Sequence, residues 1–143
     1  MKCTILQQLI LLLWCTVVNG QSEMSAIKGG SYIPLYGRDS LKVVIKDFQM
    51  DVYPVTNADY LKFVKKYPKW KRSKVIRLFA DKSYLNKWQS DTQIGASQSL
   101  KAPVTNVSWF AANEYCNCQG KRLPTIDEWE YAAMANETQP DAR

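Results

Sequence analysis

Two short stretches near the start of the chain, residues 31–35 and 41–48, are largely hydrophobic, and hydrophobic and polar residues alternate in the second one at 41–43 and 45–46. Both stretches are rich in Val, Ile and Tyr, and this pattern is typical of strands that bury one face. Residues 36–40 between them contain glycine and several polar residues, which favour a turn. The pattern therefore predicts an antiparallel pair of strands at 31–35 and 41–48.

A helical pattern follows at residues 57–66. Thr56 is suited to cap its first turn, and Asp59 lies where the helix dipole favours a carboxylate. Pro68 is expected to end the helix. The apolar face is predicted to carry Tyr60, Leu61 and Val64.

Aromatic and basic residues are interleaved between residues 69 and 91. Such a pattern can stack bases and neutralise phosphates, but it also describes a core segment whose lysines face solvent. We favour the core interpretation and expect no nucleic-acid partner, because the charged residues follow no single predicted element. Residues 90–102 are predicted to form a polar loop. The expected core residues are Trp70, Leu78, Phe79, Tyr84, Leu85 and Trp88.

The carboxy-terminal third predicts a short buried strand at 103–107, followed by a helix that Ser108 caps and Gly120 ends. One face of this helix is expected to carry Trp109, Ala112 and Cys116. We expect Trp109 to be buried together with Trp129 of the next helix.

A second capping signal follows at Thr125 and Glu128, whose side chains and backbone N–H groups can bond reciprocally. It predicts a helix at 126–135. Asp127, Glu128 and Glu130 could suggest acid–base chemistry. We assign them structural roles facing solvent, because Glu128 is engaged in the cap and the chain offers no imidazole partner.

The first twenty residues are typical of a secretory signal peptide, with Lys2 followed by an apolar run and a small-residue cleavage site. The uninterrupted apolar part, residues 9–18, is shorter than the about 20 residues that a membrane-spanning helix needs. We therefore expect a signal peptide at 1–20, one domain or one part of a domain at 21–143, no stable membrane span, and a secreted or periplasmic location.

Composition excludes several chemistries. The chain has 143 residues, 19 basic and 13 acidic side chains, a formal charge of +6 and no histidine. Serine–histidine and cysteine–histidine nucleophiles, HExxH zinc sites and two-histidine iron sites all need an imidazole, so residues 1–143 cannot supply them.

Two cysteines, Cys116 and Cys118, lie outside the predicted signal peptide. Residues two apart on a helix point in directions about 200° apart, so these two cannot form a disulfide with each other. Each either pairs with a cysteine outside this chain or remains a partly buried thiol. A Cys-x-Cys copper(I) site is disfavoured, because two thiolates without further ligands hold the metal poorly.

Several sequence runs resemble the formylglycine-generating enzyme, or sulfatase-modifying factor, family. The resemblance extends over residues 28–135. The matching runs are GGSY at 29–32, FQMD at 48–51, PVTNADY at 54–60, PVTNVSWFAANEYC at 103–116 and GKRLPTIDEWEYAA at 120–133. The 70–88 insertion most resembles the relatives associated with nitrite reductases.

The resemblance implies an α+β, C-type-lectin-like fold with short antiparallel strands and few helices, incomplete in this chain. It also implies oxidation of a sulfatase cysteine to formylglycine with copper, and a calcium site, in a complete member. The family's catalytic cysteines and calcium ligands follow the segment matched at 120–133. We therefore assign no catalytic, cofactor-binding or metal-binding residue here, and the resemblance makes Cys116 a structural position.

Three functions remain open. The first is that the chain is the amino-terminal part of a secreted formylglycine-generating enzyme. The second is a non-catalytic factor that binds a sulfatase-like protein or a metalloenzyme. The third is a small basic binding module. Because the resemblance implies a core built from both halves of the domain, we expect this chain alone to expose apolar surface.

Overall fold

The computed structural model describes residues 23–34 and 41–134. Short antiparallel strands and a few helices make it an α+β structure, as predicted. The predicted leader at 1–20 and the turn at 36–40 lie outside the described residues. The strands are β1 (Met24–Ile27), β2 (Gly30–Tyr32), β3 (Val43–Ile45), β4 (Phe48–Asp51), β5 (Trp88–Ser90) and β6 (Gln93–Ile94), and the helices are α1 (Asn57–Lys66), α2 (Trp109–Cys118) and α3 (Ile126–Ala133).

The strands form separate two-stranded ribbons. β2 pairs with β3, which confirms the predicted antiparallel pairing, whereas β4 pairs with the unpredicted β1. The prediction of one continuous strand at 41–48 is therefore wrong. Lys46 and Asp47 interrupt the strand, and the Asp47 carboxylate accepts hydrogen bonds from the backbone N–H of Gly29 and the ammonium of Lys28, both at 2.8 Å.

Helix α1 has the predicted bounds. The Thr56 side chain accepts a hydrogen bond from the backbone N–H of Asp59 at 3.2 Å, and the helix ends before Pro68. Because Tyr60 and Val64 are buried, the predicted inner face is confirmed, and Phe63 extends it.

The core lies between α1, the segment that follows it, and α2. Its buried hydroxyl groups are hydrogen-bonded. The hydroxyl oxygens of Tyr60 and Tyr84 lie 3.0 Å apart, and the Tyr84 hydroxyl donates to the backbone carbonyl of Trp70. The indole N–H of Trp88 donates to buried Asn57. Burial raises the pKa of Tyr60 and Tyr84, so both phenols stay protonated.

Most predicted core residues of the insertion are confirmed: Trp70, Tyr84, Leu85 and Trp88 are buried, and Phe79 packs against them. The prediction for Leu78 is wrong, because its side chain is 78% exposed. This residue lies in an irregular run of turns, where helical or strand periodicity does not determine which side chains face inward.

The predictions for one strand and one loop also need correction. The segment 103–107 forms one isolated bridge, from Pro103 to Thr56, instead of a strand. Asn106 has a positive φ of 58°, which is incompatible with an extended strand, and its carbonyl accepts a hydrogen bond from the backbone N–H of Leu85. The predicted loop at 90–102 contains β6, which pairs with β5.

Helix α2 begins and ends as predicted. Ser108 accepts from the backbone N–H of Ala111 at 3.2 Å, and Gly120 adopts φ +69°. The N–H groups of Gly120 and Lys121 reach back to the carbonyls of Asn117 and Cys116, a Schellman arrangement in which glycine avoids Cβ strain.

The predicted inner face of α2 is wrong. The helix presents Ala111, Tyr115 and Cys118 to the core, while Trp109 is 64% exposed. The small side chain of Ala111 lies fully buried against the core cluster that includes α1. The choice of face therefore follows from close packing, which hydrophobic spacing alone does not reveal.

Helix α3 has the predicted capping box. Thr125 accepts from the backbone N–H of Glu128 at 3.1 Å, and Glu128 accepts from that of Thr125 at 2.8 Å. Within the described residues the helix ends at Ala133. The predicted burial of Trp129 is wrong, because this side chain is 61% exposed.

Candidate functional site

Two cavities lie on either side of an ion pair between β4 and the end of α2. One, of about 500 Å³, is lined by Asp59, Lys66, Tyr115 and Cys118 among others. The second, of about 450 Å³, is lined by Cys116, Arg122 and Glu128 among others. Asp51 and Lys121 line both cavities, so they form the wall between them.

The wall between the cavities is a charged contact. The ammonium of Lys121 lies 2.5 Å from a carboxylate oxygen of Asp51, and both side chains are largely shielded from solvent. The Schellman turn at Gly120 places Lys121 at this position, and β4 places Asp51. The pair thereby ties the end of α2 to the strand ribbon, and its charges face both cavities.

The two thiols lie in different cavities. Cys118 lines the larger one and Cys116 the smaller one, and both are half-buried and free in the structure. Burial, assisted by the negative charge of Asp51, raises the pKa of the Cys116 thiol. A thiol with a raised pKa is a poor nucleophile at neutral pH, and two thiols that face different cavities do not form a redox pair.

The larger cavity has an aromatic wall. The ring of Tyr115 stacks on Tyr60 with centroids 5.8 Å apart. Burial, followed by the carboxylates of Asp59 and Asp51, raises the pKa of Tyr115 to about 12. At neutral pH this phenol is protonated, so it can donate a hydrogen bond to a molecule in the cavity.

The acidic residues of α3 have structural roles. Glu128 receives two hydrogen bonds of 2.6 Å from the guanidinium of Arg122, and these, with the bond from the Thr125 N–H, lower its pKa to about 2. Asp127 and Glu130 accept from the hydroxyl of Tyr32 at 3.1 and 3.3 Å. These contacts agree with the predicted structural roles. The prediction that these carboxylates face only solvent is wrong for Asp127 and Glu130, because both contact Tyr32 of β2.

The metals that the resemblance implies do not fit the donor groups in the described part of the chain. Among residues 23–34 and 41–134, no group of three or more His, Cys, Asp or Glu side chains comes close enough to hold an ion. Cys116 and Cys118 stand two positions apart on α2 and line separate cavities, an arrangement that does not favour a shared copper ion. Copper and calcium remain expectations for a complete family member.

Over the described ranges, no helix has the length and apolar character required to cross a bilayer.

Comparison with known proteins identifies the family. Residues 14–141 match the sulfatase-modifying factor enzyme 1-like domain. The chain belongs to this family.

Relatives in this family include proteins with contrasting names. The inactive C-alpha-formylglycine-generating enzyme 2 of Bos taurus is 32% identical over 84% of this chain and 52% of its own length. The mouse protein of the same name is 34% identical over 68% of this chain and 41% of its length. The mouse formylglycine-generating enzyme is 31% identical over 64% of this chain and 32% of its own length. The chain thus spans about half the length of the first two relatives.

Sequence reasoning about this sulfatase-modifying factor domain missed the ion pair between Asp51 and Lys121. These residues lie 70 positions apart, so no local spacing links them. The only sequence signal was that each lies within a run shared with the family, FQMD for Asp51 and GKRLPT for Lys121.

Proposed function

We propose that this chain forms the scaffold part of a secreted, C-type-lectin-like formylglycine-generating-enzyme homologue that engages a sulfatase-type protein, and that its described residues carry no chemical step. The observation that supports this most directly is the separation of Cys116 and Cys118 into different cavities. The names of the bovine and mouse relatives agree with it, since both are called inactive.

The scaffold role follows from the contacts around the family motifs. The Arg122–Glu128–Thr125 network fixes the start of α3, and the Schellman turn fixes Lys121 against Asp51. These contacts satisfy charged and backbone groups within the protein. They hold the motif segments in place without presenting a nucleophile to a substrate.

The second candidate is oxidation of a sulfatase cysteine to formylglycine by a complete protein. The similarity to the mouse formylglycine-generating enzyme favours it. In that case copper would supply the oxidation chemistry, and the residues of this chain would only position the groups that bind it.

A peptide assay tests whether the residues of this chain carry out a chemical step by themselves. The chain is incubated with copper, dioxygen and a sulfatase-type cysteine peptide, and formylglycine is measured by mass spectrometry. We expect no aldehyde from this chain, whether wild type, Cys116→Ser or Cys118→Ser. Aldehyde that disappears in either variant would overturn the scaffold role.

A chimaera tests whether this chain can serve as a scaffold in a catalytically active protein. Residues 23–134 replace the matching segment of the mouse formylglycine-generating enzyme. A scaffold should support aldehyde formation in this chimaera, and Cys118→Ser should retain it. A folded chimaera that forms no aldehyde would show that this scaffold suits only a non-catalytic protein.

A further inference from the structure

The positive charge of this protein is concentrated in one segment. Residues 60–91 contain ten of the 19 basic side chains and two of the 13 acidic ones, so this segment has a formal charge of +8 while the rest of the chain has −2. Nine of these ten basic side chains are exposed in the structure. A surface with this much charge of one sign attracts anionic partners.

The acidic side chains of the segment offset little of this charge. Asp81 accepts hydrogen bonds from the backbone N–H and the hydroxyl of Ser83, and Asp91 accepts them from the same two groups of Ser73. Two of the basic side chains form exposed ion pairs with carboxylates outside the segment, and exposed pairs of this kind contribute little in water. Most of the positive charge therefore remains available to a partner.

A loop within this segment presents apolar side chains among the basic ones. Val75 and Phe79 pack against the core, and the backbone N–H of Phe79 donates to the carbonyl of Ile76 at 2.9 Å, which closes a turn. The residues between these two core contacts are exposed, with Ile76 at 63% and Leu78 at 78%. Residues 76–78, here called the 76–78 tip, thus carry Arg77 between two exposed aliphatic residues.

The exposed groups of the segment indicate which kind of anionic partner it fits. Its aromatic rings offer no stacking surface, because Trp70, Tyr84 and Trp88 are buried, and this disfavours single-stranded nucleic acid. A sulfated polysaccharide would use the basic side chains but would leave Ile76 and Leu78 in water. A bilayer with anionic lipid uses both, since its headgroups attract the basic side chains and its interface takes up the apolar ones.

We propose that the 76–78 tip and the basic side chains around it dock this protein on the surface of a bilayer that contains anionic phospholipid. Ile76 and Leu78 enter the boundary between headgroups and acyl chains, while Lys74 and Arg77 contact the lipid phosphates. This attachment is peripheral and needs no spanning helix. It adds a location to the scaffold role and does not depend on that role.

Vesicle sedimentation tests the proposal. The chain is expressed with its predicted leader, and its binding is compared between vesicles of phosphatidylcholine alone and vesicles that also contain phosphatidylglycerol. We expect roughly tenfold tighter binding, or more, to the anionic vesicles, because several basic side chains act together. Added salt should weaken this binding, since it screens the charges.

Two substitutions separate the apolar and the charged contributions of the tip. Leu78→Ser should weaken binding to anionic vesicles roughly fivefold, because an aliphatic side chain no longer enters the interface. Arg77→Gln should also weaken it roughly fivefold, the effect of one cation near an anionic surface. Leu41→Ser and Lys46→Gln are the matched controls, since both residues are exposed and lie outside the segment. The controls should bind like the wild type, and circular dichroism verifies that each variant is folded.

The other outcomes overturn the proposal. Equal binding to the two kinds of vesicle would exclude attraction by anionic lipid. Binding that survives both Leu78→Ser and Arg77→Gln would place the contact elsewhere, such as the apolar run at 9–18. Soluble heparin is a third probe, and binding to heparin without binding to vesicles would identify a polysaccharide as the partner. The aldehyde assays contain no vesicles, so failure of docking and failure of the scaffold role are separate results.

Discussion

The hydroxyl of Tyr32 lies 3.1 Å from a carboxylate oxygen of Asp127 and thereby connects β2 to the first turn of α3, 95 residues further along the chain. The same hydroxyl is 3.3 Å from Glu130. Desolvation, then the hydrogen bond to Asp127, raises the pKa of Tyr32 to about 12. Helix α3 is therefore attached to the strands through a protonated phenol between two carboxylates.

Tyr32→Phe should lower the free energy of unfolding by about 1–3 kcal/mol, because it removes a hydrogen bond to charged groups and leaves them partly buried. Chemical denaturation measures the change. Tyr53→Phe is the control, since that side chain is 70% exposed, and it should change stability by no more than experimental error. Equal effects of the two substitutions would contradict the attachment of α3 through Tyr32.

Thr125→Ala should cost about 1 kcal/mol, because the backbone N–H of Glu128 loses its cap. The melting temperature is expected to fall by a few degrees, as measured by circular dichroism. Thr105→Ala replaces an exposed threonine outside the cap and should leave the melting curve unchanged. An unchanged curve for Thr125→Ala would disprove the assigned start of α3.

Glu128→Gln should change the response to acid. The Arg122 guanidinium and the Thr125 N–H lower the pKa of Glu128 from 4.5 to about 2 in the folded protein. Its charge therefore stabilises the fold above about pH 4.5, and this contribution is lost as the pH falls toward 2. The wild type should be more stable than Glu128→Gln at pH 7, and the difference should shrink between pH 4.5 and 2.

Denaturation at a series of pH values measures this difference. Glu23→Gln is the control, because Glu23 is exposed and lies outside the capping network. A wild-type advantage that stays constant down to pH 2 would show that Glu128 does not stabilise the fold through its charge.

Cys116 should react slowly with iodoacetamide at pH 8 in the folded protein, because its raised pKa lowers the thiolate fraction. The rate should approach that of an ordinary cysteine in urea, where burial is lost. Mass spectrometry of the peptide that contains Cys116 follows the modification. Equal rates in the folded and unfolded protein would argue against the burial of this thiol.

The exposed apolar side chains, which include Trp109 and Trp129, should bind a hydrophobic dye, and the chain should be only marginally stable. Trp129→Asp should reduce the dye fluorescence. A cooperative transition above about 60 °C without dye binding would contradict the expectation, since that temperature is near the upper end for mesophilic domains.

Local sequence determined the ends of the helices. Thr56, Ser108 and Thr125 each cap the predicted helix, and Gly120 ends α2. These signals act over three or four residues, within the reach of one side chain to nearby backbone groups. The family motifs were likewise legible from sequence, and the match over residues 14–141 confirmed them.

Tertiary structure decided which faces are buried. Hydrophobic spacing placed Trp109 and Trp129 inside, yet α2 turns Ala111 toward the core and α3 turns Asp127 and Glu130 toward Tyr32. Periodicity identifies an apolar face, but the elements available to pack against determine whether that face is covered. The contact between Asp51 and Lys121, with its two flanking cavities, likewise arises only when residues distant in sequence meet.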